Sequence, residues 1–477
     1  MTTAAAIRQP RGAFAPLISR SYRIYLAGQS LANTGAWMQS IAQDWLIFDL
    51  THSSAAVGVT MALQFAPMLL FGLYAGAAAD RRSKRRTLLT TQTLNAVTTG
   101  ALAVITIAGA VHAAEVYVFA LLSGLIFAFD GPTRQAFVAE VTPPGQLRAA
   151  IALNAAVFQT TRLLGPAIAS VLIATAGTGW VFAVNALCFI GPTVGLLRLR
   201  PSELQPALAV PRERGALRDA ARQLRRRPDV LWTIFLVGVF GTFGLNFPIV
   251  LTAMAKSAFH GSASMYGLFN IVLAVGSAAG ALLAGAGSRP RLRLLAASVA
   301  VFGLLEAAAA TAPGLPVFLP LLAAMGLVNL GFQAMANASV QLSVEPEQRG
   351  RVMGLYMLVF IGGTPFGAPI VGAVTNHLGA RAGMAICGLV PALAVVAMGV
   401  VISASRGGRR ATDGQLAGDG RAGGGLAATA VRASVSAAVA AGPPPGQDVT
   451  SRRPGGDATA GRPAASLTTS GCAARGR

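Results

Sequence analysis

The sequence predicts an all-α integral membrane protein: twelve transmembrane helices in two six-helix bundles. Three observations carry this. Only 12% of the 477 residues are charged and 54% are hydrophobic, whereas soluble chains carry about 25% charged residues. Apolar stretches of roughly 20 residues, the length that crosses hydrocarbon, recur twelve times along the chain. Lys and Arg crowd into alternate connections between those stretches.

The apolar stretches are 25–48, 55–79, 87–110, 114–138, 149–175, 179–197, 230–254, 265–286, 293–312, 316–339, 352–374 and 382–403. Stretches this long read as helices rather than barrel strands, because each must satisfy its own backbone hydrogen bonds in lipid. With residues 1–24 in the cytoplasm, the cytoplasmic segments hold 34 of the 38 Lys and Arg. The outer loops hold Lys256 and Arg381, and Arg134 and Arg162 fall inside helices. This skew is the positive-inside rule, and it puts both termini in the cytoplasm of a multi-pass inner-membrane protein. The basic connection 198–229 contacts anionic headgroups on this reading. The net charge of +21 follows from topology, and no aromatic interleaving or known module points to nucleic acid. The polar, basic start is no cleaved signal peptide. Residues 404–477, rich in small and polar residues, read as a disordered cytoplasmic tail.

The chain therefore divides into an N-terminal segment (1–24), a first bundle (25–197), a basic linker (198–229), a second bundle (230–403) and a tail (404–477). An internal repeat supports the two bundles. "VTPPGQLR" (141–148) and "VEPEQRGR" (344–351) precede the fifth and eleventh stretches, and the same offset aligns Pro166 with Pro369. Two membrane halves around a midplane site are the architecture of an alternating-access carrier.

Between the second and third stretches lies "GLYAGAAADRRSKRRTLL" (72–89). Gly76, Asp80, Arg81, Arg85 and Arg86 in it resemble the loop signature of the major facilitator superfamily, with one extra residue before the final arginine pair. "WMQSIAQDWLIFDLT" (37–51), "DGPTRQAFVAEVTPP" (130–144), "ALNAAVFQTTRLLGP" (152–166) and "RGRVMGLYMLVFIGGTPFGAP" (349–369) are similar to its bacterial drug-efflux and siderophore-export branch, which includes enterobactin exporter-like proteins. The resemblance covers about residues 20–403. It implies secondary transport, outward and driven by proton antiport. The chain itself is expected to be a monomer without cofactor or metal. The chain departs from the family in two places. The second-half loop "GAGSRPRLRLL" (285–295) lacks the acid. Thr161, Ala169 and Ser170 stand where the helix 5 antiporter motif has glycines.

Ionisable groups inside a span are costly and mark functional candidates. Arg162, midway along the fifth helix, either attracts an anionic substrate group or pairs with a titrating acid, or else serves as a structural ion pair. Asp44 shares one face of the first helix with Gln29, Asn33, Trp37 and Ser40 at three- and four-residue spacing. That polar stripe points to a wet cavity, with Asp44 taking and releasing protons or else reaching the outer interface. Gln333 and Asn337, with Asn329, form a second stripe on the tenth helix. Asp130 and Arg134 stand four apart and so can meet. With Asp80 and Arg81 they form an expected gating network joining helices 2 and 4, and Asp80 is expected to latch onto the N-terminus of helix 11 near Gly350 and Arg351. No phosphate loop, metal spacing or nucleophile elbow appears, so no enzyme is expected. The expected partners are a small-molecule substrate (a drug-like compound or a siderophore-type metabolite), protons and the lipid bilayer. The alternative reading is a non-transporting membrane sensor or scaffold of the same fold.

Overall fold

A computed structural model describes residues 14–81, 83–200, 204–205, 227–285, 291–344 and 349–404. The tail and most of the basic linker lie outside these. The first bundle is built from α1 (Arg20–Thr51), α2 (Ser54–Arg81), α3 (Lys84–Ile107), α4 (Ala113–Val141), α5 (Leu147–Ala176) and α6, which runs as Thr178–Cys188 and Ile190–Arg198. The second comprises α7 (Pro228–Ala258), α8 (Ala263–Gly285), α9 (Leu292–Ala310), α10 (Leu315–Ser343), α11 (Arg349–Gly362 and Thr364–Leu378) and α12 (Ala380–Ala404). The end where α1 starts and α12 stops is the near end, and the opposite end is the far end.

Eleven helices among the described residues are long and apolar enough to cross a bilayer. The twelfth long helix, α1 (Arg20–Thr51), is less apolar than the others. Its polar residues lower its mean hydropathy, but they turn inward: Gln29, Gln43 and Asp44 are all buried. A helix that hides its polar groups inside a bundle needs less apolar length facing lipid.

Matching backbone stops show the six-plus-six repetition. The residue after α1, His52, and one just after α7, His260, both adopt φ 50°, the left-handed geometry that ends helices. Gly177 after α5 has φ 92° and Gly379 after α11 has φ 91°, values open to glycine because it lacks a Cβ. In the second bundle α8 and α10 cross on reciprocal glycines. A Cβ at Gly276 or Gly280 would lie 1.9 Å from the carbonyl oxygen of Ala323 or Leu327, and one at Gly326 would lie 2.1 Å from that of Leu273. Small residues let helix backbones approach this closely in lipid.

The bundles meet at the far end through one contact made twice. Gly58 and Gly267 are the fifth residues of α2 and α8. A Cβ at Gly58 would sit 2.4 Å from the Ala368 carbonyl oxygen and 3.3 Å from Pro369 in α11. One at Gly267 would sit 3.3 Å from the Pro166 carbonyl oxygen in α5, and closer still to the Ser170 side chain. Pro166 and Pro369 are the pair aligned by the sequence repeat, so α2 on α11 and α5 on α8 are related by the pseudo-twofold. At the near end, anchoring bonds run within a bundle. Arg85 caps the last turn of α6 through the carbonyls of Leu196 (2.7 Å) and Leu197 (3.0 Å). Lys84 pairs with Glu140 at 2.7 Å, and Arg227 donates to the Ser343 carbonyl at 2.8 Å.

The α8–α10 crossing makes a direct prediction. Gly280→Ala drives a Cβ into backbone that cannot rotate away, so it should cost roughly 1–3 kcal/mol and lower the unfolding midpoint of the purified protein. Gly354→Ala meets open space and should leave the midpoint unchanged or raise it.

Candidate functional site

The polar residues singled out in the sequence fall into separate groups at different depths. The one nearest the near end is built on α4. Asp130 is 2% exposed and pairs with Arg134 one turn along. Its other oxygen accepts from Thr91 Oγ1 (2.7 Å) and Gln92 Nε2 (3.1 Å) of α3. Arg134 also donates to Asn33 Oδ1 of α1 at 3.2 Å, and that oxygen accepts from Gln29 as well. This network ties α1, α3 and α4 together, where the sequence suggested a link between helices 2 and 4. Thr91 and Gln92 carry no charge, so their part in it had no sequence signal beyond polarity on an apolar helix.

Of the remaining loop-signature residues, Gly76 is buried in α2, Arg85 caps α6 and Arg86 is exposed. The side chains of Asp80, Arg81, Gly350 and Arg351 lie outside the described residues, and with them the expected latch.

A second group closes the far end between bundles. Asp44, 6% exposed, accepts a 3.0 Å hydrogen bond from the hydroxyl of Tyr266 in α8. The Tyr266 ring stacks on Trp45, with centroids 6.4 Å apart and planes 21° apart. Lys256 of α7 lies 4.9 Å from the centre of the Trp45 ring and pairs with Asp49 of α1. The Lys256–Asp49 pair is part-exposed, and such pairs contribute about 0–1 kcal/mol; apolar packing and the two glycine crossings hold most of this seal. Tyr266 and Asp49 carried no signal in the sequence, and Lys256, expected in an outer loop, lies in the last turn of α7 instead.

The third group sits at mid-depth. The Arg162 guanidinium lies 5.5 Å from the centre of the Trp37 ring. Trp37 meets Phe158 edge-on at 5.7 Å. Among the described residues no carboxylate or hydrogen-bond acceptor reaches Arg162. The α1 stripe is therefore divided among all three groups: Asn33 serves the α4 network, Trp37 stands with Arg162 and Asp44 belongs to the seal. Steps of four residues drift by about 40° around a helix, so one stripe need not face one cavity. On α10, Gln333 bonds Asn329 at 2.6 Å and Asn337 accepts from Gln341; these bonds run along the helix rather than to Asp44 or Arg162. Among the described residues no cluster of His, Cys, Asp or Glu is arranged to hold a metal ion.

The buried pair on α4 is open to a direct check. Arg134→Leu leaves the Asp130 charge without its cation and should cost about 3–5 kcal/mol. Adding Asp130→Asn should recover a large part of that loss. Equal unfolding midpoints for the single and double variants would contradict the pairing.

Comparison with known proteins agrees with this architecture. The chain is 25% identical over 385 residues to the multidrug efflux pump Tap of Mycobacterium tuberculosis (strain ATCC 25618 / H37Rv), covering 78% of this chain and 90% of that protein. It is 22% identical to the staphyloferrin A transporter of Staphylococcus aureus (strain NCTC 8325 / PS 47), covering 53% of this chain and 64% of that relative. Among solved structures, a bacterial homologue of the human lysosomal transporter Spinster, inward-facing and unoccupied, shares the fold with a TM-score of 0.61 at 14% identity, covering 79% of this chain and 95% of that one. A D-xylose–proton symporter does so at 0.58 and 16%, covering 80% and 97%. Residues 11–408 match the transmembrane secretion effector family, and the chain belongs to that branch of the major facilitator superfamily.

Proposed function

We propose that this protein exports a small amphipathic molecule across the cytoplasmic membrane by alternating access, with Asp44 exchanging protons across it. The observation that carries the reading is a carboxylate buried where two bundles close on each other. Relatives named as multidrug and macrolide efflux proteins and as a siderophore transporter support export. The cation distribution supports the far end as the outer one, and on that orientation the described conformation is the outward-closed one.

The coupling follows from the cost of burying charge. Closing the seal on an ionised Asp44 would bury a carboxylate with a tyrosine hydroxyl as its bonded partner and, among the described residues, no bonded cation. Removing an unpaired charge from water costs several kcal/mol, whereas a neutral carboxyl that keeps its hydrogen bond costs far less. On this reading a proton gained outside lets the empty carrier close its far end and return inward. Loss of that proton to the cytoplasm then primes the loaded carrier to open outward.

Reconstitution in proteoliposomes tests this. With an imposed pH gradient and a compound panel, the native protein should show gradient-dependent flux. Asp44→Asn should lower that flux on the order of tenfold or more, as a loss of about 1.4 kcal/mol or more of coupling requires, while exchange of substrate down its own gradient continues. Absence of gradient-dependent flux for every compound, or full coupling in Asp44→Asn, would overturn the proposal.

A further inference from the structure

We infer that Arg162 and Trp37 form the head of the substrate site and select an amphipathic anion with an aromatic body; this deepens the export reading and rests on it. Position carries the first step. Arg162 has about 22 Å of α5 on its near side and about 21 Å on its far side, at 1.5 Å per residue, so it stands at mid-depth, where carriers of this architecture bind cargo.

Orientation carries the second. Arg162, Pro166 and Ser170 are spaced four apart and share one face of α5. The other bundle covers that face further out: Gly267 of α8 touches both Pro166 and Ser170. Arg162 is thus the next group below the seal on the face turned toward the second bundle. The same holds on α1, where Asp44 meets Tyr266 of α8 and Trp37 lies seven residues, or two turns, nearer the cytoplasmic end. The two helices are locked in register there, since a Cβ at Gly165 would lie 2.4 Å from Trp37 Cβ. Arg162 and Trp37 therefore roof the space between the bundles.

Chemistry carries the third. A guanidinium in a membrane interior is normally paired, as Arg134 is with Asp130. Arg162 instead has a ring face and, among the described residues, no anion. Its planar fork of donors suits a carboxylate or similar oxyanion, while the half-buried Trp37 and exposed Phe158 offer aromatic surface beside it. An arginine over an aromatic ring face makes no hydrogen bond to it, so its N–H groups stay free for such an anion. The complementary ligand has one negative group next to a flat apolar body.

A charge-matched pair of probes tests this. Binding of 1-naphthaleneacetate and its neutral amide, 1-naphthaleneacetamide, is measured by equilibrium dialysis against the full-length protein in nanodiscs, with empty nanodiscs subtracted. The native protein should prefer the anion by roughly tenfold or more, as a charge-assisted hydrogen bond provides. Arg162→Gln should lose that preference while still binding the amide, Arg162→Lys should keep most of it, and Trp37→Ala should weaken both probes. Binding of neither probe by the native protein, equal binding of both, a preference that survives Arg162→Gln, or one that Arg162→Lys loses as fully as Arg162→Gln, overturns the inference. Gradient-driven flux of other compounds alongside any of these results leaves the export reading standing. Anion preference without flux of any compound does the reverse.

Discussion

On the export reading, movement depends on a close contact between the two bundles at one end of the membrane. The contact is a pair of pseudo-twofold-related crossings: Gly58 of α2 faces the backbone of Ala368 and Pro369 in α11, and Gly267 of α8 faces Ser170 and the Pro166 carbonyl of α5. At Gly58 the neighbouring atoms are backbone and cannot turn aside; at Gly267 the nearest is the Ser170 hydroxyl. A contact made of small residues and van der Waals packing, with few polar bonds, can come apart and re-form at little cost in broken hydrogen bonds. Among the described residues of that surface Asp44 is the buried acid, and on the proposed reading closure depends on its charge.

The placement of other polar groups supports this division of labour. Inside the first bundle, Asp130 accepts from Thr91, Gln92 and Arg134, a network that ties α1, α3 and α4 together. Breaking it would leave a buried charge unpaired, so it resists motion. The seal has the opposite character: a single hydroxyl bond to Asp44, a ring stack and a part-exposed ion pair. Rigid bundles with a labile contact between them are what alternating access by rocking requires.

Much of the fold is legible in the sequence because bilayer thickness sets helix length, and apolar runs report it directly. The internal repeat was visible in a few aligned residues, and Pro166 and Pro369 turn out to mark the two inter-bundle crossings. The Asp130–Arg134 contact follows from four-residue spacing alone. Harder to read were pairings between helices distant in sequence. Asp44 and Tyr266 stand 222 residues apart, and no local pattern names a tyrosine in an apolar helix as an acid's partner. The polar stripe on α1 looked like one surface, yet it serves three neighbours because four-residue steps rotate around the helix. α1 itself is less apolar than a bilayer crossing ordinarily is, and Asn33, Gln39 and Asp44 on it are matched by other helices.

Whether the charge on Asp44 controls the seal can be measured as a distance across the far end. Spin labels at position 112, before α4, and position 378, ending α11, report that span by double electron–electron resonance in nanodiscs, with Cys188, Cys387 and Cys472 replaced. The native protein should hold the short distance at pH 5 and add a longer population at pH 9, while Asp44→Asn stays short at both. A far end that widens on acidification, or one that still widens with rising pH in Asp44→Asn, would contradict the coupling.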